Sequence, residues 1–174
     1  MHQDLKPVPG MAPIVGLLYA TVEDTYRRLK QRVKGMSQEE LDYKGPFGDL
    51  NSTGQLIRHL AVVDLHWVYR LRGEPVPREL QEAYGPMFDR QGKIPAVSGV
   101  PLEELLESYD RVQTWFRDVC LGLTDEDLDR VVDYEDGKTA TIRWGIWHIA
   151  DHSRYHQAQI AWLRKWWRQG RNKG

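Results

Sequence analysis

The sequence predicts an all-α fold, a four-helix bundle with one long crossover between helices 2 and 3. Three observations point there. Four segments repeat their apolar residues at three- and four-residue steps. The stretch between the second and third is interrupted by Pro and Gly. The order long helix, short acidic turn, loop, long helix occurs twice, which hints at an internal duplication of a helical hairpin. A connection that spans the bundle lets the two helices it joins run the same way.

The first helix is read over residues 14–33, where Leu18, Val22, Tyr26, Leu29 and Val33 form one stripe and Lys34-Gly35 closes it. Ser37 and Glu40 then make a capping-box pattern over SQEEL, ahead of the loop KGPFGDLNS. Either Ser52 or Thr53 caps the second helix, whose stripe runs through Leu56, His59, Leu60, Val63, Trp67 and Leu71 until Gly73-Glu74-Pro75. Residues 73–100 carry Pro75, Pro77, Pro86 and Pro95, so only a short helix over 78–83 is expected in this crossover. Pro101 opens the third helix, with Leu102, Leu105, Tyr109, Val112, Phe116 and Val119 facing inward. Thr124 and Asp127 repeat the cap pattern over TDEDL, and residues 131–142 read as a small hairpin around Asp136-Gly137. The fourth helix is read over 142–169, with Gly170 beyond its end. The expected organisation is one domain over 1–174, with tails at 1–12 and 170–174.

Composition narrows the function classes. The 24 Lys and Arg against 25 Asp and Glu give a net charge of −1, which argues against a generally basic nucleic-acid binder. No run approaches the roughly 18 apolar residues of a membrane span, and residues 1–10 show no apolar signal core. A single cysteine, Cys120, forms no internal disulfide and fits a reducing cytoplasm. Its apolar neighbours, with no histidine nearby in sequence, suit a buried inert thiol.

The six histidines are unevenly placed, with three between 148 and 156. His148, His152 and His156 stand at successive i,i+4 positions, on one face of the fourth helix with Gly145, Ile149, Gln159, Ile160 and Leu163; Arg143, Arg154 and Gln157 fall mostly elsewhere. Two such imidazoles can converge on one ion, as on a zincin helix, but Ser153 follows His152 where a zincin has its catalytic glutamate. Two ligands leave a tetrahedral ion short. The second helix offers His59 and His66, of which His59 lies nearer the loop end. Three imidazoles leave an open position, whereas His148 as a fourth ligand would close the site. Hydrogen-bonded core histidines, or a solvent-filled binding cleft, are the alternatives to a metal.

HIADHSRYHQAQIAWL, the upstream LIRHLAVVDLHW and the lead-in DGKTATIRW together resemble the DinB/YfiT-like superfamily of four-helix bundles over nearly the whole chain. That resemblance implies a divalent metal held by His59, His152 and His156, zinc or nickel, with His148, His66 and Gln159 in the pocket or around the ligands. Many members carry His-Arg-Gly-Gln where this chain has His156-Gln157-Ala158-Gln159. It further implies a homodimer acting on a small molecule, while the near-neutral charge and the lack of an apolar span argue against nucleic acid and membrane as partners. The implied activity is thiol-dependent, bacillithiol-type S-transfer, with a low-molecular-weight thiol as cosubstrate. Metal-dependent hydrolysis and non-catalytic small-molecule binding are the alternatives.

Three further features carry expectations. Trp144, Trp147, Trp162, Trp166 and Trp167 read as core and dimer packing, with a substrate-lining role for one or two of them as the alternative. Arg164, Lys165, Arg168, Arg171 and Lys173 read as one short solvated basic tail. The crossover is expected to cover an end of the bundle near the metal, with substrate contacts through Tyr84 or Phe88.

Overall fold

In the computed structural model, which describes residues 4–171, four long helices share one apolar core: α1 (Pro13–Val33), α3 (Thr53–Arg72), α5 (Leu102–Gly122) and α6 (Ile142–Arg171). Two short helices, α2 (Gln38–Asp42) and α4 (Arg78–Tyr84), lie in the connections, and a hairpin of β1 (Val131–Asp133) and β2 (Thr139–Thr141) leads into α6. No helix among the described residues is long and apolar enough to cross a membrane.

Side-chain contacts fix the directions of the helices. Gly54 lies against Leu105, and Asp64 bonds Tyr109 and Gln113, so α3 and α5 run parallel. Gln157 bonds the Thr25 carbonyl and Arg164 the Arg32 carbonyl, so α1 and α6 run parallel as well. Contacts of Tyr19 with Phe116 and of Tyr26 with Tyr109 make α1 antiparallel to α5. Trp67 against Gly145, with His59 against His156, makes α3 antiparallel to α6. The 73–100 crossover therefore carries the chain back along the bundle between two parallel helices.

Local chemistry sets the ends of these elements. Ser52 is the cap of α3: its hydroxyl accepts from the Gln55 amide at 3.2 Å while Gln55 Oε1 accepts from the Ser52 amide at 2.9 Å. At SQEEL, the Ser37 hydroxyl accepts from the Glu40 amide, but the Glu40 side chain turns to a largely buried ion pair with Arg164. At TDEDL the Thr124–Asp127 box is reciprocal, yet the turn is a 3-10 helix over Glu126–Asp129. The last helix passes through Gly170 to Arg171, two residues beyond the expected stop. A helical glycine costs about 1 kcal/mol relative to alanine, which a 30-residue helix tolerates.

Other expectations shift at α6. Gln157, expected off the inner face, is buried and donates to the Thr25 carbonyl and the Ser153 hydroxyl. The α6 tryptophans are not core residues: Trp144, Trp166 and Trp167 are half-buried, and Trp147 and Trp162 are about half exposed. Trp67 of α3 fills the centre instead. Arg164 leaves the basic tail to bind the Arg32 and Lys34 carbonyls at the end of α1, and Lys173 lies outside the described residues.

Candidate metal centre

The Ser52–Gln55 cap starts α3 at Thr53 and thereby sets its rotation, which turns His59 inward until it is 3 % exposed. From α6, His152 and His156 stand one turn apart on the face that meets α3. The close approach of the two helices depends on Gly145, because a Cβ there would run into the Trp67 ring. A sequence stripe supplies the histidines, and a missing side chain lets them meet.

The three rings interlock edge to face, with centroids 5.2 Å apart for His59–His152, 5.1 Å for His59–His156 and 4.5 Å for His152–His156. One ring nitrogen from each lies within 4.8 Å of the others, and among the described residues no Cys, Asp or Glu joins the group. Gln159 Oε1 accepts from Nδ1 of His156 at 2.8 Å, which leaves Nε2 of His156 as a lone pair directed at Nε2 of His152, 2.9 Å away. Nδ1 of His59 and Nδ1 of His152 are buried without a hydrogen-bond partner among the described residues.

Electrostatics hold the cluster neutral. Burial, followed by the charge of His156, pushes His59 down to about 4, with a hydrogen bond to the Met87 backbone pulling the other way. Burial and then the neighbouring imidazoles His156, His59 and His148 push His152 down to about 3. Burial lowers His156 too, opposed by its bond to Gln159. At neutral pH all three offer lone pairs, the state that a divalent cation with a preference for imidazole requires. Buried imidazole nitrogens with unmet bonding capacity, Nδ1 of His59 and Nδ1 of His152, fit a cation better than they fit a dry core.

Residues 21–160 match the DinB superfamily. The chain belongs to that superfamily. It is 45% identical over 168 residues to the uncharacterized protein YkkA of Bacillus subtilis (strain 168), covering 96% of this chain and 95% of YkkA. A crystal structure of a conserved protein from Enterococcus faecalis superposes with a TM-score of 0.68, over 86% of this chain and 94% of that one, at 15% identity. At that identity the likeness shows the fold alone.

The remaining histidines and the crossover surround this DinB cluster unequally. His148 stands one turn beyond it, stacked between Trp144 at 4.6 Å and His152 at 5.6 Å, with the Tyr134 hydroxyl 3.4 Å from its Nε2. His66, two turns along α3 from His59, lines a cavity under α4 that Met87 and Phe88 also border. From the crossover, the Phe88 ring packs 5.4 Å from His59. Tyr84 does something else: buried, it donates to the Ser108 carbonyl, and its own carbonyl accepts from Arg58, so it anchors the crossover to α5 and α3. Sequence reasoning missed Tyr134 and the Met87 backbone, whose positions follow from loop paths that carry no periodic signal.

Proposed function

We propose that this DinB protein is a divalent-metal enzyme in which His59, His152 and His156 hold the ion, leave a coordination position open, and promote transfer of a low-molecular-weight thiol onto an electrophile. The observation that carries the reading is the convergence of three neutral imidazoles, those of His59 and His156 buried and that of His152 half-buried, with no Cys, Asp, Glu or further His joining the group among the described residues. A zinc or nickel ion bound there would supply a Lewis acid that favours the deprotonated form of a thiol or of water in the open position. Gln159 fixes the tautomer of His156 through Nδ1, and Phe88 shields the His59 side of the cluster from water. The chain's cysteine is no nucleophile here, since Cys120 is fully buried and burial pushes its thiol up to about 12. The nucleophile therefore comes from a cosubstrate: its sulfur forms a bond to carbon, the carbon–leaving-group bond breaks, and the thiol proton departs with the leaving group. A lone buried cysteine also suits the reducing cytoplasm, where such thiols are available.

The test combines metal analysis with turnover. About one ion per chain is expected, lost in His152→Ala, together with metal-dependent conjugation of monochlorobimane in the presence of bacillithiol or glutathione. Metal-dependent cleavage of activated esters or amides without thiol, and no conjugation with any thiol, would assign hydrolysis instead. An intact ion with neither activity would assign a binding protein, and full metal content in a His59→Ala, His152→Ala double variant would remove the ligand assignment.

A further inference from the structure

Next to the three-histidine cluster, two cavities of opposite character meet at Leu50 and Asn51. One, of about 350 Å³, is walled by Gln159, Trp162, Leu163 and Trp166. The other, of about 600 Å³, includes Lys44, Asp49, Asp89 and Lys93 and reaches Phe88, the ring that packs on His59. A ligand's apolar part has only the first of these two to enter.

Resting on the metal-enzyme reading above, we infer that the Trp162–Trp166 cavity seats a flat, apolar electrophile and so sets the substrate class of this site. The Trp162 and Trp166 rings lie 5.6 Å apart and only 33° from coplanar, which offers an aromatic surface rather than a point contact. Lys165 rests over the Trp162 ring at 4.7 Å and steadies it. Leu50 forms the facing wall, and Leu163 lies at the core side. The connection to chemistry runs through Gln159, which lines this cavity and at the same time holds Nδ1 of His156. A group seated on the tryptophans therefore lies one residue away from the histidine cluster. The volume suits a small bicyclic molecule, at the lower end of the roughly 300–1,000 Å³ range of small-molecule sites. Trp162 is 52% exposed, more open than a core residue and in keeping with a face that a ligand covers.

The test uses the full chain and prodan, a neutral, flat, environment-sensitive naphthalene. Prodan is expected to bind one per chain with a blue-shifted emission, and Trp162→Ala and Trp166→Ala each to weaken it about tenfold, the loss of one good aromatic contact. Circular dichroism checks that both variants remain folded. In cobalt(II)-loaded protein the bound prodan protons should relax faster than in the zinc-loaded form, which places the cavity beside the ion. In turnover, Trp162→Ala should raise KM for monochlorobimane by a larger factor than KM for the small, non-aromatic iodoacetamide. Unaltered prodan affinity in both variants overturns the inference. So does a concentration-dependent dimer that excludes prodan, which would give the surface to a second copy. The two readings fail separately. Prodan bound at the tryptophans of a chain that holds no metal sinks the enzyme reading and leaves the apolar cavity, whereas a metal-loaded chain whose prodan shows no cobalt relaxation sinks the inference alone.

Discussion

Asp64 is buried between α3 and α5, where it accepts from the Tyr109 hydroxyl at 2.7 Å and from Gln113 Nε2 at 2.9 Å, and its other oxygen has no partner among the described residues. Burial raises its carboxyl to about 7, against the lowering pull of those two hydrogen bonds. The folded chain therefore keeps this proton after the unfolded chain has lost it near pH 4. Stability contributed by the neutral acid is complete below pH 4 and is lost as pH rises toward 7. Asp64→Asn keeps an acceptor for Tyr109 and never ionises. Its stability relative to the parent, measured by urea unfolding, is expected to be near zero or slightly negative at pH 4 and to grow by a few kcal/mol by pH 8, at about 1.4 kcal/mol per pH unit. A difference that stays flat with pH would mean that Asp64 ionises normally. Sequence inspection passes over this residue although Asp64 stands four residues after Leu60 and three before Trp67, on the inner stripe. Its meaning lies in partners 45 and 49 residues away. The histidines differ, since the i,i+4 spacing of His152 and His156 and the stripe position of His59 marked them as candidates before any packing was known.

At the level of elements, the approach of α6 to α3 is controlled by Gly145. Helix propensity alone would favour alanine there by about 1 kcal/mol, but the added carbon meets the Trp67 ring, and Trp67 is fully buried and has nowhere to move. Overpacking of a tight core costs roughly 1–3 kcal/mol, so the clash decides the sign. Gly145→Ala is expected to lower the melting temperature and, by prising α6 from α3, to weaken metal binding at His59, His152 and His156. Gly122, at the end of α5 with open space around it, is the control, and Gly122→Ala should leave stability unchanged or raise it by up to about 1 kcal/mol. A stable, metal-replete Gly145→Ala protein would show that the helices have slack. The long helices, the crossover, the short helix read at 78–83 and the hairpin were all legible, because periodicity and turn residues are local signals. SQEEL and TDEDL look alike in sequence yet form an α-turn and a 3-10 turn. What separates them is tertiary, since Glu40 is drawn to Arg164 while Asp127 stays with Thr124. The exposure of the α6 tryptophans was illegible for a related reason: aromatic residues serve cores and binding surfaces equally, and which α6 face is covered depends on the other helices.

Across the whole molecule, burial sets two kinds of titrating group against each other in acid. His59, His66, His148, His152 and His156 are all held below their ordinary value, chiefly by burial. Each is neutral in the folded chain at a pH where the unfolded chain, with histidines near 6.5, has taken up its proton. Their contribution is present above pH 6.5 and is lost as pH falls toward the folded values, about 4 for His59 and about 3 for His152. Asp64 acts in the opposite direction over the same window, since there the folded chain holds the extra proton. Several histidines outweigh one carboxyl. Metal-free protein should therefore lose stability steadily between pH 6.5 and 5, at up to about 1.4 kcal/mol per pH unit for each fully shifted group. Asp64→Asn should steepen that loss, because it removes the one opposing proton. An ion that binds only the folded chain adds stability that grows with the logarithm of its concentration. Chelation at pH 7.5 is thus expected to lower the urea midpoint, and added zinc or nickel to restore it, in the parent but not in His152→Ala. Equal midpoints with and without chelator in the parent would mean that the cluster holds no ion. A metal-free chain equally stable at pH 7.5 and pH 5 would mean that the histidines are open to water and titrate as they do in the unfolded chain.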